Sequence, residues 1–564
     1  MKKQKRQETK LATPVAASTL PPWWMWLAGF GALFIVFEVY ASVMHSPFLL
    51  DDLYLPYADE HPPHTLFGWI RLQRPLLMFS YWVDYQMGGS DPHGYHITNI
   101  LLHVCVSIVA MLIAARLLEW SGVTGRMRTA LTIFSGALFL LHPLQTESVS
   151  YVASRSDVLS VLFYYSAFAI FLYASREPIR LLRALCIVGL FGAAAATKEH
   201  TLTLPLLILL ADFYWHRGGW RSHRRLYVLL AVACAIGAVV VWKVLLSANT
   251  AGFNFKDFSP ATFFFTQCRV IWIYVRMFFL PFGQNVDPDI PLSIGVLDHG
   301  AIFGLLALIA AGASAWIYRK RWPLAAFGVL VFLLLIAPTS SVVPIRDVMA
   351  ERRVYLPFIG LILIALEFLR RLAFTQVVGV CASALLVMTY LTYERNEAWA
   401  SPIALWEDSV AKSPLKMRPR FQLAYAQFQI GDCAAASGNF EAASHLETPD
   451  YRLLVDWANA LDCAGNEDEA AKEFLQAIQL NPMQAEAYVG LSAVYGRQRK
   501  LDEALKVLDR ADALDPGIAQ IFINRGGVYE LQGDQAGAIE QYRHALDLDK
   551  TSRAASEALR RLGQ

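Results

Sequence analysis

Charge is scarce in this sequence: 17% of its 564 residues are Asp, Glu, Lys or Arg, against 55% that are hydrophobic. A soluble enzyme carries about 25% charged residues, so this composition speaks against one. The seven cysteines show neither zinc nor redox spacing. Five of them, Cys105, Cys186, Cys234, Cys268 and Cys381, lie in or beside apolar segments, where a thiol behaves as a small hydrophobe. There is no glycine-rich phosphate loop, no Gly-x-Ser-x-Gly elbow and no nucleic-acid motif, which argues against a nucleoside triphosphate, a cytosolic nucleotide sugar or nucleic acid as substrate or partner. The apolar stretch after Trp23 also lacks a small-residue cleavage site, so it reads as a retained first helix rather than a removed signal peptide.

What is present is unevenly distributed. Residues 1–400 hold 32 Lys and Arg against 23 Asp and Glu, and residues 401–564 hold 17 against 24. The first part is a membrane protein by its apolar runs, near 23–44, 96–118, 129–142, 156–174, 180–197, 200–215, 226–246, 299–318, 322–337, 354–369 and 374–391, which predict eleven spans, several short. Lys and Arg gather at Lys2 to Lys10, Arg116/Arg126/Arg128, Arg176/Arg180/Arg183, Arg217/Arg221/Arg224/Arg225, Arg319/Lys320/Arg321 and Arg370/Arg371. These are alternate loops, and the positive-inside bias assigns them to the cytosol. Pro260 to Phe282 is apolar but carries Arg269 and Arg276; it is expected to be a re-entrant or interfacial helix, which puts the C-terminal region outside the cytosol.

That region repeats every 34 residues: Leu480-Asn481-Pro482, Leu514-Asp515-Pro516 and Leu548-Asp549-Lys550. Small and aromatic residues recur inside each unit, as in Tyr488, Leu491, Tyr495, Ala504, Leu508 and Ala511, where a pair of helices must close on itself. The pattern predicts an all-α fold with three parts: a basic cytoplasmic tail over 1–22, a polytopic helical domain over 23–395, and a tetratricopeptide-type solenoid of about four hairpins plus a closing helix over 415–564. Such arrays bind peptides or proteins in a concave groove, or pack on their own membrane domain. Cys433 and Cys463 are near enough in sequence to pair in an oxidising compartment.

With that topology, the loops on the outer face collect ionisable residues. Adjacent carboxylates Asp51 and Asp52 follow the first span; side by side they repel, so one is suited to accept a proton while the other stays ionised, against the plainer reading of a helix cap. The same face gathers Arg71, Arg74, His93, His96, His142, Glu147, Arg155, Asp157, Lys198-Glu199-His200, Arg346 and Glu351-Arg352-Arg353. Arginines on outer loops defy the positive-inside bias and suit an anionic headgroup, such as a phosphate on a lipid carrier. For one member alone, such as Glu147 or His103, a structural hydrogen bond between helices is the plainer role. His142, Glu147 and His200 lack metal-ligand spacing; no resident metal is assigned, and a divalent cation stays open as a cofactor.

In order along the chain, Asp51-Asp52, Arg74-Pro75-Leu76, Gly94-Tyr95-His96 with Asn99 and His103, Leu141-His142-Pro143 with Thr146-Glu147, Ser154-Arg155-Ser156-Asp157, Lys198-Glu199 and Glu351-Arg352-Arg353-Val354-Tyr355-Leu356-Pro357 resemble the transmembrane and tetratricopeptide-repeat O-mannosyltransferases and their bacterial relatives. The resemblance runs from Asp51 to Pro357 and continues into the repeats. It implies a C-type glycosyltransferase that takes a sugar from a polyprenyl or dolichyl phosphate and delivers it, with inversion, to a hydroxyl of a protein or glycan on the non-cytoplasmic face. By that analogy Asp51 or Asp52 is the base; Arg352, Arg353, Arg74 and Lys198 hold the donor phosphate; His96, His142, Glu147 and Glu351 orient substrate. Two departures bear on the acceptor: the family usually carries more repeats, and Asp-Asp stands where protein O-mannosyltransferases have Asp-Glu.

Two other readings compete. An oligosaccharide ligase or polymerase would also use outer arginines and histidines on lipid-linked glycan, but does not require the acidic pair. A membrane-anchored scaffold would need only the array and would leave the polar loops without a role. The compact chain points to a bacterial inner membrane with the N-terminus cytoplasmic and the array periplasmic, or to an endoplasmic-reticulum membrane with the array in the lumen.

Overall fold

The computed structural model describes residues 22–564 except 60, 73, 175–177, 216–221, 248–251, 253 and 254. The basic tail up to residue 21, and Arg176, Arg217 and Arg221 of the basic clusters, lie outside the described residues. The elements are helices, and each expected apolar segment falls on one: Pro22–Val39, Pro92–Trp120, Gly125–Leu141, Arg155–Ala174, Leu181–Ala195, Leu204–Trp215, Arg224–Ser247, Ala301–Tyr318, Pro323–Ile336, Phe358–Leu369 and Phe374–Ala398.

Eleven is nevertheless more than length and composition support. Among the described residues, four helices are long and apolar enough to cross a bilayer: Pro92–Trp120, Val152–Ala174, Asp298–Tyr318 and Phe374–Ala398. Counting the bent pairs Gly29–Val39 with Val43–Tyr54 and Gly125–Leu141 with Pro143–Ser150 as single spans raises this to six. Helix length explains most of the difference, though not Arg224–Ser247, which has 24 residues. Leu181–Ala195, Pro323–Ile336 and Phe358–Leu369 have 15, 14 and 12 residues, roughly 18–23 Å at 1.5 Å per residue, short of a hydrocarbon core of about 30 Å.

These helices form an integral membrane bundle. Ala301–Tyr318 and Phe374–Ala398 present Phe303, Leu306, Ile309, Ile317, Leu386 and Val387 to the outside, an apolar surface suited to lipid tails rather than water. Inside, small residues let backbones touch: a Cβ added at Gly328 would stand 2.5 Å from the carbonyl oxygen of Gly360 on the neighbouring helix.

The bundle has two unlike ends. At one, Arg370 donates to Ser121 O at 2.9 Å, Arg371 donates to Arg321 O at 2.6 Å, and Tyr214 donates to Arg319 O at 3.1 Å, so basic loops remote in sequence converge. The other end gathers residues near 45–59, 142–157, 198–200, 284–293 and 344–354. The Pro260–Phe279 helix bonds to this second end along its length: Gln267 donates to Val348 O at 2.7 Å, Tyr274 to Ala350 O at 3.0 Å, and Phe278 O lies 2.9 Å from His142 Nε2.

The C-terminal region is a stack of helical hairpins, Met417–Gln429 with Cys433–Ser444, Tyr451–Cys463 with Glu467–Leu480, Glu486–Arg497 with Leu501–Leu514, and Ala519–Gln532 with Gln535–Leu548, closed by Arg553–Arg561. Leu480, Leu514 and Leu548 each end the second helix of a hairpin. The small-and-aromatic pattern has a direct reason: a Cβ at Gly526 would lie 2.7 Å from the Tyr542 ring, so only glycine lets that ring seat against the paired helix. A disulfide joins Cys433 to Cys463, with Cα atoms 5.7 Å apart, tying the first hairpin to the second.

Candidate active site

The end of the bundle opposite the basic loops builds its site from short 3-10 turns. Leu50–Tyr54 places Asp51 and Asp52 in its first turn, and because successive side chains there diverge, the two acids meet different surroundings. Asp52 is 1% exposed. Its Oδ1 accepts from Ala153 N–H at 2.7 Å and Tyr57 O–H at 3.1 Å, and its Oδ2 from Leu49 N–H at 3.0 Å. Burial pushes its carboxyl up to about 7 although these three donors pull the other way. Asp51 turns outward; its carboxylate is exposed and takes no hydrogen bond among the described residues. The Asp51 backbone N–H donates to Tyr151 Oη at 2.9 Å.

Tyr151 connects the acids to the cations. Burial drives its phenol well above its usual value; Asp51 and Asp52 add to this and Arg352 opposes it, so the hydroxyl lies between both charges. Arg352 sits on the turn Glu351–Val354. Its Nη1 is paired with Glu147 Oε1, and its backbone N–H donates to Glu147 Oε2 at 3.1 Å. Glu147 is 1% exposed while a quarter of the Arg352 side chain reaches solvent. The acid therefore fixes the guanidinium from behind and leaves an edge free.

Two more cations repeat the device. Lys198 Nζ lies 2.6 Å from Asp157 Oδ2, and burial lowers its affinity for a proton while Asp157 opposes that. Arg74, whose backbone is left-handed at φ 62°, forks onto Glu199 at 3.2 and 3.0 Å. The charges of Arg74 and Arg352 both lower the proton affinity of Lys198, so the three cations lie within electrostatic range of one another.

The other expected site residues are occupied by the protein itself. Arg353 donates to Val348 O at 3.0 Å and to Asp347 O, stapling its own segment. His142 is fully buried; Leu144 N–H donates to Nδ1 at 3.2 Å, so Nε2 carries the hydrogen that faces Phe278 O. His96 Nε2 meets Ser46 O at 3.1 Å, and its Nδ1 is buried without a partner among the described residues. Glu351, 1% exposed, accepts from Gln284 Nε2 at 2.8 Å and Asn285 N–H at 2.7 Å, and burial raises its carboxyl to about 7. Arg155, fully buried, is spent on Asp84 at 2.5 Å and Asn99 at 2.6 Å. Among the described residues no three His, Cys, Asp or Glu side chains form a group that could hold a metal ion, so His142, Glu147 and His200 are not assembled into one.

Sequence reasoning did not single out Tyr151, Gln284 or Asn285. Tyr151 stands beside an apolar run and the others lie in a loop without periodicity, so no local signal marks them.

An all-α integral membrane bundle with an acid and three partly exposed cations at one end, continued by helical repeats, defines a polytopic membrane protein with a tetratricopeptide-repeat region. Residues 455–517 and 494–555 match the Tetratricopeptide repeat family. The chain is a homologue of the protein O-mannosyl-transferases over most of its length. It is 21% identical over 537 residues to Protein O-mannosyl-transferase TMTC3 of Homo sapiens, covering 85% of this chain and 58% of that protein. It is 25% identical over 429 residues to Protein O-mannosyl-transferase TMTC4 of Homo sapiens, covering 66% of this chain and 56% of that protein. The chain thus spans under two thirds of these relatives' length. Among solved structures, YrrB, a TPR protein with an unusual peptide-binding site, is 20% identical, covering 32% of this chain and 89% of that one at a TM-score of 0.25.

Proposed function

We propose that this protein is a membrane glycosyltransferase of the C type, which moves a sugar from a polyprenyl-phosphate donor to a hydroxyl of a protein or glycan on the non-cytoplasmic face. The observation that carries the reading is the presence of an exposed acid, Asp51, and the partly exposed cations Arg352, Lys198 and Arg74 at one end of the bundle. Homology to named O-mannosyl-transferases favours it over a ligase, which does not need the acid.

Asp51 is the base: it takes the proton from the acceptor hydroxyl as that oxygen attacks the anomeric carbon. The bond from that carbon to the donor phosphate breaks in the same step, with inversion. Negative charge grows on the departing lipid phosphate, and the free edges of Arg352, Lys198 and Arg74 answer it. Their acidic partners hold the cations in place before the donor arrives. Asp52 serves as a positioning residue, tying Leu49, Tyr57 and Ala153 together beneath Asp51. His96, His142, Glu351 and Arg353 support the loops rather than touch substrate.

The basic loops at the opposite end mark the cytosolic side. The eleven helices, the short ones included, make up the membrane domain over 23–395, with the array over 415–564 outside the cytosol. In this arrangement Pro260–Phe279 lies along the outer surface, as its bonds to Val348, Ala350 and His142 support. A disulfide in the array suits the periplasm, or the lumen in a eukaryotic cell, rather than the reducing cytosol.

The test is transfer from radiolabelled polyprenyl-phosphate mannose and glucose to endogenous membrane protein by the full chain and by Asp51→Asn and Asp52→Asn at matched abundance. Loss in Asp51→Asn, with partial activity in Asp52→Asn, is expected. Transfer unaffected by both substitutions would sink the mechanism and favour the ligase; no transfer by the unaltered chain would favour the scaffold.

A further inference from the structure

The array is keyed to the outer loops through the helix Pro402–Lys412 that leads into it and through Ser413, which caps that helix. Ser409 donates to Asn285 Oδ1 at 2.7 Å, Ser413 Oγ accepts from Asn285 Nδ2 at 2.8 Å, and Lys412 donates to Gln284 O at 2.7 Å. Asp287, 2% exposed, then receives Lys416 and two nitrogens of Arg418, the second residue of the Met417–Gln429 helix.

The third nitrogen of Arg418 reaches elsewhere. Its Nη1 donates to Asp347 Oδ1 at 3.0 Å. The backbone carbonyl of Asp347 accepts from Arg353, and the next carbonyl, Val348 O, accepts from Arg353 at 3.0 Å and Gln267 at 2.7 Å. On the far side of the same segment, Gln284 and Asn285 hold Glu351, whose neighbour Arg352 is locked to Glu147. Two lines of contact from the array therefore meet on residues 347–353.

Energetics separate positioning from mere stability. The Arg418 and Asp347 side chains are 42% and 36% exposed, and a pair that open to water contributes at most about 1 kcal/mol. Folding does not depend on the Arg418–Asp347 pair, and buried Asp287 keeps Lys416 as its counter-charge when Arg418 is replaced. Geometry does, because a planar guanidinium bridging two carboxylates sets both distance and angle between them, which a lysine ammonium cannot.

We infer that Arg418 is a positioning residue: by bridging Asp287 to Asp347 it sets the seat of the 347–353 segment, making the first hairpin of the array part of the frame that aims Arg352 at the donor phosphate. This rests on the reading of Arg352 as a phosphate-binding residue. An acceptor held by the array would then be registered against the donor without a swinging platform.

The experiment uses the full-length chain in native membranes, with Arg418→Ala, Asp347→Asn, the double variant and Arg418→Lys. Trypsin cleavage after Arg346, whose side chain is 57% exposed, reads the seat of the segment without reference to activity. Arg418→Ala is expected to quicken that cleavage by roughly fivefold, the double variant to match Asp347→Asn, which has the same residue after the cleaved bond, rather than add to it, and cleavage within the array to stay at the unaltered rate. In parallel, KM for radiolabelled polyprenyl-phosphate mannose should rise about fivefold with kcat within about twofold, and Arg418→Lys should fall between. Unchanged cleavage at Arg346, additive effects, loosening of the array itself, or a loosened segment with an unchanged donor KM would each overturn the proposal. Absence of transfer by the unaltered chain would sink the glycosyltransferase reading, while the trypsin result would still decide whether Arg418 holds the segment.

Discussion

The repeat array and the polar end of the membrane bundle are both helical, yet they are held together by opposite means. In the array each hairpin closes on neighbours a few tens of residues away, with small residues against rings: Ala470, Phe474 and Ala477 pack with Ala487, Leu491 and Val494. At the polar end, partners are separated by 101 residues for Asp52 and Ala153, 125 for Arg74 and Glu199, and 205 for Glu147 and Arg352. A periodic, local solution tolerates change because every unit repeats it. An aperiodic network of buried charge does not, because removing one partner strands the other.

The sharpest contrast is expected from Asp51→Asn, which should lower transfer by about 10²–10⁴-fold, the range of a lost general base, with no loss of folded protein in a thermal-aggregation assay. A comparable loss in any array variant that stays folded would break the comparison. Next comes Arg352→Ala, which leaves Glu147 buried without its counter-charge, held only by the backbone N–H of residue 352, and should cost about 3–5 kcal/mol of stability. The double variant Arg352→Met with Glu147→Gln should regain most of that stability without regaining transfer. If transfer returns with stability, the pair is structural and the donor site lies elsewhere.

In the array, Cys433→Ser should lower stability by about 2–4 kcal/mol, read as protease resistance of the repeats, and a reductant should reproduce the effect in the unaltered chain. Gly526→Ala should cost about 1–3 kcal/mol by pressing on Tyr542. Neither should alter the donor KM. The smallest effect is a slope with pH. Because burial raises native Asp52 to about 7, the folded chain holds that proton more tightly than the unfolded one. Its contribution to stability is full below about pH 4 and is lost as pH rises to about 7. Glu351 has the same sign, so Asp52→Asn should flatten the slope in part; an unchanged slope in thermal scans from pH 4 to 7 would assign it wholly to other groups.

Much of the architecture was legible along the chain. Helices in the apolar runs, the hairpins and even the closing helix follow from a hydrophobic run or a period of 34 residues, signals that short windows contain. The number of spans was not, because apolar character marks a helix as buried without saying whether lipid or protein buries it; Phe358–Leu369 is apolar and only 12 residues long. At the candidate site, the order of the motifs and the resemblance they carry singled out Asp51, Asp52, Arg74, Lys198, Arg352, Arg353, His96, His142, Glu147 and Glu351 as a set. They did not say which acid faces outward, since neighbours in sequence are chemically equal until a turn separates them.

Residue type and spacing by themselves determined that this protein is helical, that it belongs in a membrane, and that its last third is a repeat array. Those properties depend on hydrophobic burial and local periodicity, which each segment carries within itself. Only the tertiary structure decided that Asp52 is enclosed while Asp51 is open, that His142 and Glu351 are turned inward, and that Arg418 reaches from the array to the loop beside Arg352. Desolvation and hydrogen bonding between distant segments make those choices, and neither exists until the chain has folded.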